Sequence, residues 1–348
     1  MNKKFQKLIS SKSRPFIIAE ISANHGGSFK KAKKMIDAAK KAGASAVKIQ
    51  TYEADSMTIE SNKKDFQIKH GIWKGKNLYD LYDSAKTPFA WHKSLFRYAK
   101  ERKILIFSTP FDSEAVDLLD SLDTPFFKIA SFELTDIPFI EYVASKGRPI
   151  LLSTGMSNEE EVGEALETIK SKGVNDVLLF HCISSYPSKV EEYNLNMIKT
   201  LQKQFNTLIG LSDHTLGIEA SIAAIALGAV AIEKHFKLKK NDEGPDAMFS
   251  SDPSEIRRLV EGTYNVWKGM GLGNYQRAME EKKNMLFRRS LYFVRDLEKG
   301  SIIEKKDIRS IRPGFGLEPK YLRKVINMKT KKRVFKGDRV SWKILDKK

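Results

Sequence analysis

Two stretches decide the fold: LIGLSDH, residues Leu208 to His214, and AVAIEKHF, residues Ala229 to Phe236. Each opens on aliphatic residues, long enough for a buried strand, and finishes on groups that a packed core does not hold without partners. Leu216 to Ala226 between them reads as a helix, so the pair forms one β–α–β unit. The same phrase recurs outward from this unit: Phe16 to Ser22 (FIIAEIS), Ala46 to Thr51 (AVKIQT), Ile104 to Thr109 (ILIFST), Phe126 to Ser131 (FFKIAS), Pro149 to Thr154 (PILLST) and Val177 to Cys182 (VLLFHC). Helical segments Phe29 to Lys41, Pro88 to Arg102 and Glu159 to Lys172 intervene, and Pro253 to Gly269 follows the last run. Eight such units predict a (β/α)8 TIM barrel, of fold class α/β.

The placement of polar residues separates a barrel enzyme from an open sheet. Nearly every run ends in reactive side chains: Glu20; Lys48 and Gln50; Ser108 and Thr109; Lys128 and Ser131; Ser153 and Thr154; His181; Ser212, Asp213 and His214; Glu233 and His235. Such groups suit the C-terminal rim, where barrels of this kind build their sites.

Composition bounds the rest. A chain of 348 residues, 41% hydrophobic and 30% charged, is expected to be an ordinary globular protein with one large domain and a small appendage. No apolar run approaches the roughly 18 residues a membrane span requires, and the opening MNKKFQKLISSKSRP lacks a signal-peptide core, so a cytoplasmic protein without a membrane partner is expected. The single cysteine, Cys182, excludes an internal disulfide framework and reads as a core thiol. Of the +18 net charge, +12 lies in Arg289 to Lys348, with 19 basic residues against 7 acidic. That stretch has no zinc-finger or RNA-binding signature, so it reads as solvated surface and no nucleic-acid partner is expected.

One connection stands apart. Glu53 to Thr87 is too long for a plain loop and helix, and a connection of that length usually covers a site. Beyond Gly273 the alternation stops. The expected division is a barrel domain at 1–274, a linker at 275–288 and a module of short strands and turns at 289–348.

His214 and His235 end neighbouring strands beside Asp213, Glu233 and Asp246. Spacing alone leaves open a divalent metal site and a pair of satisfied polar histidines; as a metal site it suits manganese or magnesium better than structural zinc. Lys48 and Lys128 are Schiff-base nucleophiles, anion clamps, or lysines whose stems cross the rim to water. With Ser131, Ser153, Thr154 and Ser212 they resemble an anion site, to which the TGMS segment, Thr154 to Ser157, adds amides at a helix start. AEISANHGGS, with Ser28 as a helix cap, matches neither the dinucleotide nor the ATP fingerprint.

In order and spacing, AEISANHGGS, VKIQTY, STPFD, FKIASFE, STGM, HCISSYP, GLSDHTLG, IEKHF, GPDAMFS and IRPGFG resemble the N-acetylneuraminate (sialic acid) synthase family over almost the whole chain. KHGIWKGKNLYDLYDSAKTPFAWH, Ser184 within HCISSYP, and RPGFGL are similar to its pseudaminic acid synthase branch, with the neuraminate and legionaminate branches next. The resemblance implies a transferase that condenses phosphoenolpyruvate with an N-acylated amino sugar, here 2,4-diacetamido-2,4,6-trideoxy-altrose, with C–O cleavage and a Mn2+ or Mg2+ ion. It implies a C-terminal antifreeze-protein-like (SAF) module and a domain-swapped homodimer.

Residue by residue, the resemblance makes His214 and His235 metal ligands, and Glu20 and Glu133 proton-handling residues. Lys48, Gln50, Thr109, Lys128, Ser131, Ser153, Ser184 and Ser212 fall around phosphoenolpyruvate and the adjoining substrate site. Tyr186, Asp246 and, across the dimer, Arg312 fall near the sugar. Ser184 replaces the Asn common in the family. Two further readings are a metal-free Schiff-base keto-acid aldolase and a polyanion-binding protein using the basic tail.

Overall fold

The computed structural model describes residues 3–346 and divides into two compact units, Met1–Gly271 and Leu272–Lys348. The larger unit is a closed parallel barrel of eight strands in chain order: β1 (Phe16–Glu20), β2 (Ala46–Thr51), β3 (Leu105–Pro110), β4 (Phe127–Ile129), β5 (Ile150–Ser153), β6 (Val177–Cys182), β7 (Leu208–Asp213) and β8 (Ala231–His235). The expected TIM barrel is therefore the observed one. The long helices occupy Phe29–Ala42, Phe89–Glu101, Glu159–Ser171 and Pro253–Gly269. Ser28 caps the first, accepting the Lys31 amide at 3.2 Å. Among the described residues no helix is long and apolar enough to cross a membrane.

Each strand alternates between two cores. Ile17, Ala19, Val47, Ile49, Leu179 and Ile232 face the helices, whereas Phe16, Ile18, Ala46, Phe107, Leu151, Leu178, Phe180 and Ala231 fill the barrel. Phe5 and Ile9, in and just after the first helix (Lys3–Leu8), belong to the inner core, where Phe126 meets Phe5, Phe16 and Phe107 at ring separations of 6.2, 6.1 and 4.5 Å. Gly210 makes room for this filling: a Cβ there would lie 2.7 Å from the Phe180 ring. Continued to the C-terminal ends, the inward rows finish in Glu20, Lys48 and Gln50, Thr109, Lys128, Ser153, Cys182, Ser212 and Glu233 with His235.

The connection after β2 carries short helices Ala54–Met57 and Leu78–Ala85 and an antiparallel bridge between Gln67 and Asn77. The smaller unit pairs β9 (Ser290–Phe293) with β10 (Ile308–Ile311) over a core that includes Leu291, Phe293, Ile303, Val325 and Val334.

Candidate active site

Inward parity makes the site. The Lys48 ammonium lies 2.7 Å from Glu20 and 3.3 Å from Glu233, and donates to the Thr109 hydroxyl at 2.9 Å. The Lys128 ammonium donates to Ser153 at 2.5 Å and stands 3.7 Å from Glu233; Ser153 in turn is 3.2 Å from Ser212. Ser131, on the turn after β4, accepts the Gly155 amide at 3.0 Å. All of these side chains are buried. Two ammonium groups and two carboxylates thus share one dry floor, where each charge is costly without its neighbours.

Their protonation reflects that sharing. Burial pushes Glu20 up to about 7, against Lys48 and helped by Glu233. Burial alone would lower Lys48, but Glu20 and Glu233 hold its proton more tightly than usual. Lys128 is lowered by burial and by Lys48, with Glu233 opposing. Burial would raise Glu233, yet Lys128, Lys48 and His214 keep it below the ordinary range.

Above the floor stands the histidine pair, with ring centroids 5.4 Å apart. His214 Nδ1 is 3.0 Å from the Ile183 carbonyl; a proton there, donated to that oxygen, leaves Nε2 free. His235 Nδ1 is buried without a hydrogen-bond partner among the described residues, 3.7 Å from Asp246 Oδ2. Burial opposes charge on His214, but Cys182 and Glu233 favour it, whereas His235 is held neutral by burial and by the cation-rich surroundings. No set of three or more His, Cys, Asp or Glu among the described residues is gathered for a metal. The arrangement fits an ion held by two imidazoles with its other positions open to water and substrate oxygens, and does not fit a closed structural site.

The sequence had placed Asp213 beside this pair, and the structure does not. Asp213 points the other way, pairs with Lys234 at 3.0 Å and accepts the Thr215 amide and the Ser221 hydroxyl. Ser108 and His181 are likewise on the outward row, bonded to the Ile49 carbonyl and lying 3.0 Å from the Tyr193 carbonyl. TGMS is a turn rather than a helix start: the helix begins at Glu159, capped by Asn158. Gly155 is instead needed for close approach, since a Cβ would fall 2.4 Å from Ser184 Oγ and 2.8 Å from Ser131 Oγ.

A cavity of about 360 Å³ opens at these strand ends. Gln50, Glu133, Tyr186, His235 and Asp246 supply polar lining, and Met57, Ile68, Leu78 and Leu81 from the long connection supply apolar lining. Glu133 Oε2 is buried with no hydrogen-bond partner among the described residues, and burial pushes its carboxyl up to about 7. A carboxylic acid of that kind can give or take a proton near neutrality. Arg312 lies in the smaller unit.

Three contributors are given no site role by the sequence reading. Trp73 donates its indole N–H to the Pro245 carbonyl at 3.1 Å and packs on Tyr186 with centroids 5.7 Å apart. Phe249 packs against Tyr186, His214 and His235 at 5.1, 6.1 and 4.8 Å. Cys182 is buried as expected, yet its sulfur lies 3.8 Å from His214 Nδ1.

A (β/α)8 barrel with a paired-charge floor, two imidazoles and a cavity at the strand ends defines an enzyme of the barrel-rim class. Residues 35–275 match the NeuB family and residues 288–345 the SAF domain. A pseudaminic acid synthase of Campylobacter jejuni is 44% identical across 93% of this chain and 94% of its own. An N,N'-diacetyllegionaminic acid synthase of Legionella pneumophila is 35% identical across 95% and 94%. The crystal structure of an N-acetylneuraminic acid synthetase from Leptospira borgpetersenii superposes with a TM-score of 0.71 at 32% identity, over 78% of this chain and 90% of that one. The chain belongs to the NeuB family, and with it to the nonulosonic acid synthases, which are transferases.

Proposed function

We propose that this enzyme is a pseudaminic acid synthase, joining phosphoenolpyruvate to 2,4-diacetamido-2,4,6-trideoxy-altrose with release of phosphate. The observation that carries the reading is the buried Lys48–Glu233–Lys128–Ser153–Ser212 chain, which occupies the same strand ends as His214 and His235. The 44% identity to a pseudaminic acid synthase supports the choice of sugar over N-acetylneuraminate or legionaminate synthesis.

In this reading Lys48 and Lys128 clamp the carboxylate and phosphate of phosphoenolpyruvate, and Thr109, Ser131, Ser153, Ser184 and Ser212 direct hydrogen bonds at the same anion. Lys128, whose proton burial loosens, holds it firmly once an anion arrives. His214 and His235 would hold Mn2+ or Mg2+, which when bound supplies Lewis-acid polarisation of the sugar aldehyde. Phosphoenolpyruvate C3 bonds to the aldehyde carbon, water adds at C2, and the C2–O bond breaks as phosphate leaves. Glu133, facing the cavity with a free oxygen, moves the proton, with Glu20 holding Lys48 in position as well as being the alternative proton carrier. Gln50, Tyr186 and Asp246 line the sugar end.

The proposal extends to a homodimer in which the smaller unit of each protomer brings Arg312 to the other's sugar. Phe132, Met156, Val190, Leu216 and Met248, all exposed and from five different βα connections, support a covered barrel mouth.

The test is phosphate release from phosphoenolpyruvate with manganese, comparing the altrose sugar, N-acetylmannosamine and the legionaminate precursor. Turnover of the altrose sugar alone supports the reading; preference for another moves the enzyme to that branch, and release with none overturns it.

A further inference from the structure

The cavity is lined asymmetrically. Its polar groups, among them Gln50, Glu133, His235 and Asp246, come from strand ends and the turns that follow them. The connection between β2 and β3 contributes Met57, Ile68, Leu78, Leu81 and Ala85, together with Trp73, whose one N–H is taken by Pro245. Tyr52 and Tyr82 bring two phenol hydroxyls from this connection to the lining, and Tyr82 stands close enough to Glu133 to feel its charge. Apart from these two tyrosines, the side chains of Met57, Ile68, Leu78 and Leu81 form a stretch of wall that offers a sugar hydroxyl nothing to bond.

Chain direction decides which part of the substrate meets that wall. The aldehyde carbon must reach the floor, where the lysines and histidines are, so a six-carbon sugar entering carbonyl-first leaves C6 farthest out, toward the connection. A methyl group there gains from burial, whereas a hydroxymethyl group gives up water without replacement.

We propose that the 53–87 connection is a specificity element, whose apolar wall of Met57, Ile68, Leu78 and Leu81 accepts the methyl end of a 6-deoxy amino sugar and disfavours its 6-hydroxy counterpart. The inference rests on the synthase reading above for the sugar's orientation, and its test separates the two.

The probes are the alditols of the 2,4-diacetamido 6-deoxy sugar and of its 6-hydroxy congener, which lack the aldehyde and cannot condense. Calorimetric titration into enzyme with manganese and phosphoenolpyruvate gives their Kd ratio, and phosphate release with the parent aldehydes reports the reaction separately. The expected wild-type preference for the deoxy alditol is roughly 10- to 100-fold, the range over which an apolar pocket discriminates an added hydroxyl. In the double variant Met57→Gln with Ile68→Thr it should fall to within about threefold. Met57→Leu with Ile68→Val should retain it, which shows that apolarity rather than a change of side chain is responsible.

A wild-type ratio near one overturns the proposal, as a wall reading the N-acyl methyls would give, since the alditols differ only at C6. An unchanged ratio in the polar variant, or binding of neither alditol, also overturns it. A preserved ratio without phosphate release supports the wall and sinks the synthase reading instead.

Discussion

Glu20 and His235 are register partners across the β1–β8 seam that closes the barrel. Glu20 ends its strand in an ion pair with Lys48, and His235 ends the next with a buried ring nitrogen that has no partner among the described residues. The closure of the barrel thus brings the ion-paired charges of the floor and the open valence of the histidine pair to one level. On the proposed reading the chemistry and its supporting ion pairs share the same residues, so the two should fail together when either is cut.

Lys48→Met leaves Glu20 buried without its cation and Glu233 with Lys128 alone. It should cost about 3–5 kcal/mol, the penalty of an uncompensated buried charge, and abolish phosphate release. Urea denaturation of the variant checks the first and a phosphate assay the second. On the proposal that both lysines clamp the anion, borohydride added with phosphoenolpyruvate or pyruvate should leave the intact mass unchanged; an adduct on Lys48 or Lys128 would move the enzyme to the Schiff-base aldolases.

Glu133 has its proton held more tightly in the fold, with a value of about 7, than in the unfolded chain, with 4.5. Such a group contributes stability that is complete below the unfolded value and is lost as pH rises through the folded one. Glu133→Gln should therefore match wild type in melting temperature near about pH 4.5 and exceed it near about pH 8, while losing roughly 10²- to 10⁴-fold in kcat. A melting profile with no difference at high pH would contradict the assignment of a strained functional carboxyl.

His25 and His92 pull the other way. Burial lowers each to about 4 from 6.5; His25 lies 3.2 Å from Thr87, while His92 stands between the Thr51 hydroxyl at 2.7 Å and the Pro88 carbonyl at 3.2 Å. A depressed histidine contributes stability that is present above the unfolded value and lost as pH falls through the folded one. Between about pH 6.5 and 4 the protein should lose up to about 3 kcal/mol per histidine, and His92→Gln should flatten part of that slope in unfolding measured across the range.

Phe126 sits at the closed end of the barrel, opposite the site, in contact with three other rings. Phe126→Ala should cost about 3–5 kcal/mol with kcat/KM retained well below the melting temperature. Comparable loss of activity would mean that the inner core transmits strain to the strand ends.

How far the sequence could be read follows from the burial of parallel strands. Eight apolar runs with reactive ends made the barrel and its rim legible. The phase of alternation was not legible, because Phe16 and Ile17, or Ile18 and Ala19, are equally apolar and a strand covered on both faces carries no polar mark. Asp213 and His214 are therefore adjacent reactive residues in sequence, yet one ties the following helix at Ser221 to Lys234 on β8 and the other stands beside His235. The apolar wall was hidden for a different reason: Met57, Ile68 and Leu81 have no common periodicity, and only the folding of the long connection assembles them. Resemblance supplied roles, such as those of Glu133 and Tyr186, that parity and spacing alone did not single out.

The most direct measurement uses phosphoenolpyruvate carrying 18O in the bridging oxygen, incubated with the 6-deoxy altrose sugar and manganese, with both products weighed by mass spectrometry. The account predicts a nine-carbon ulosonic acid in equal amount to phosphate, all of the label in the phosphate, and neither product in the presence of EDTA. Label retained in the organic product, or condensation that persists under chelation, would contradict it.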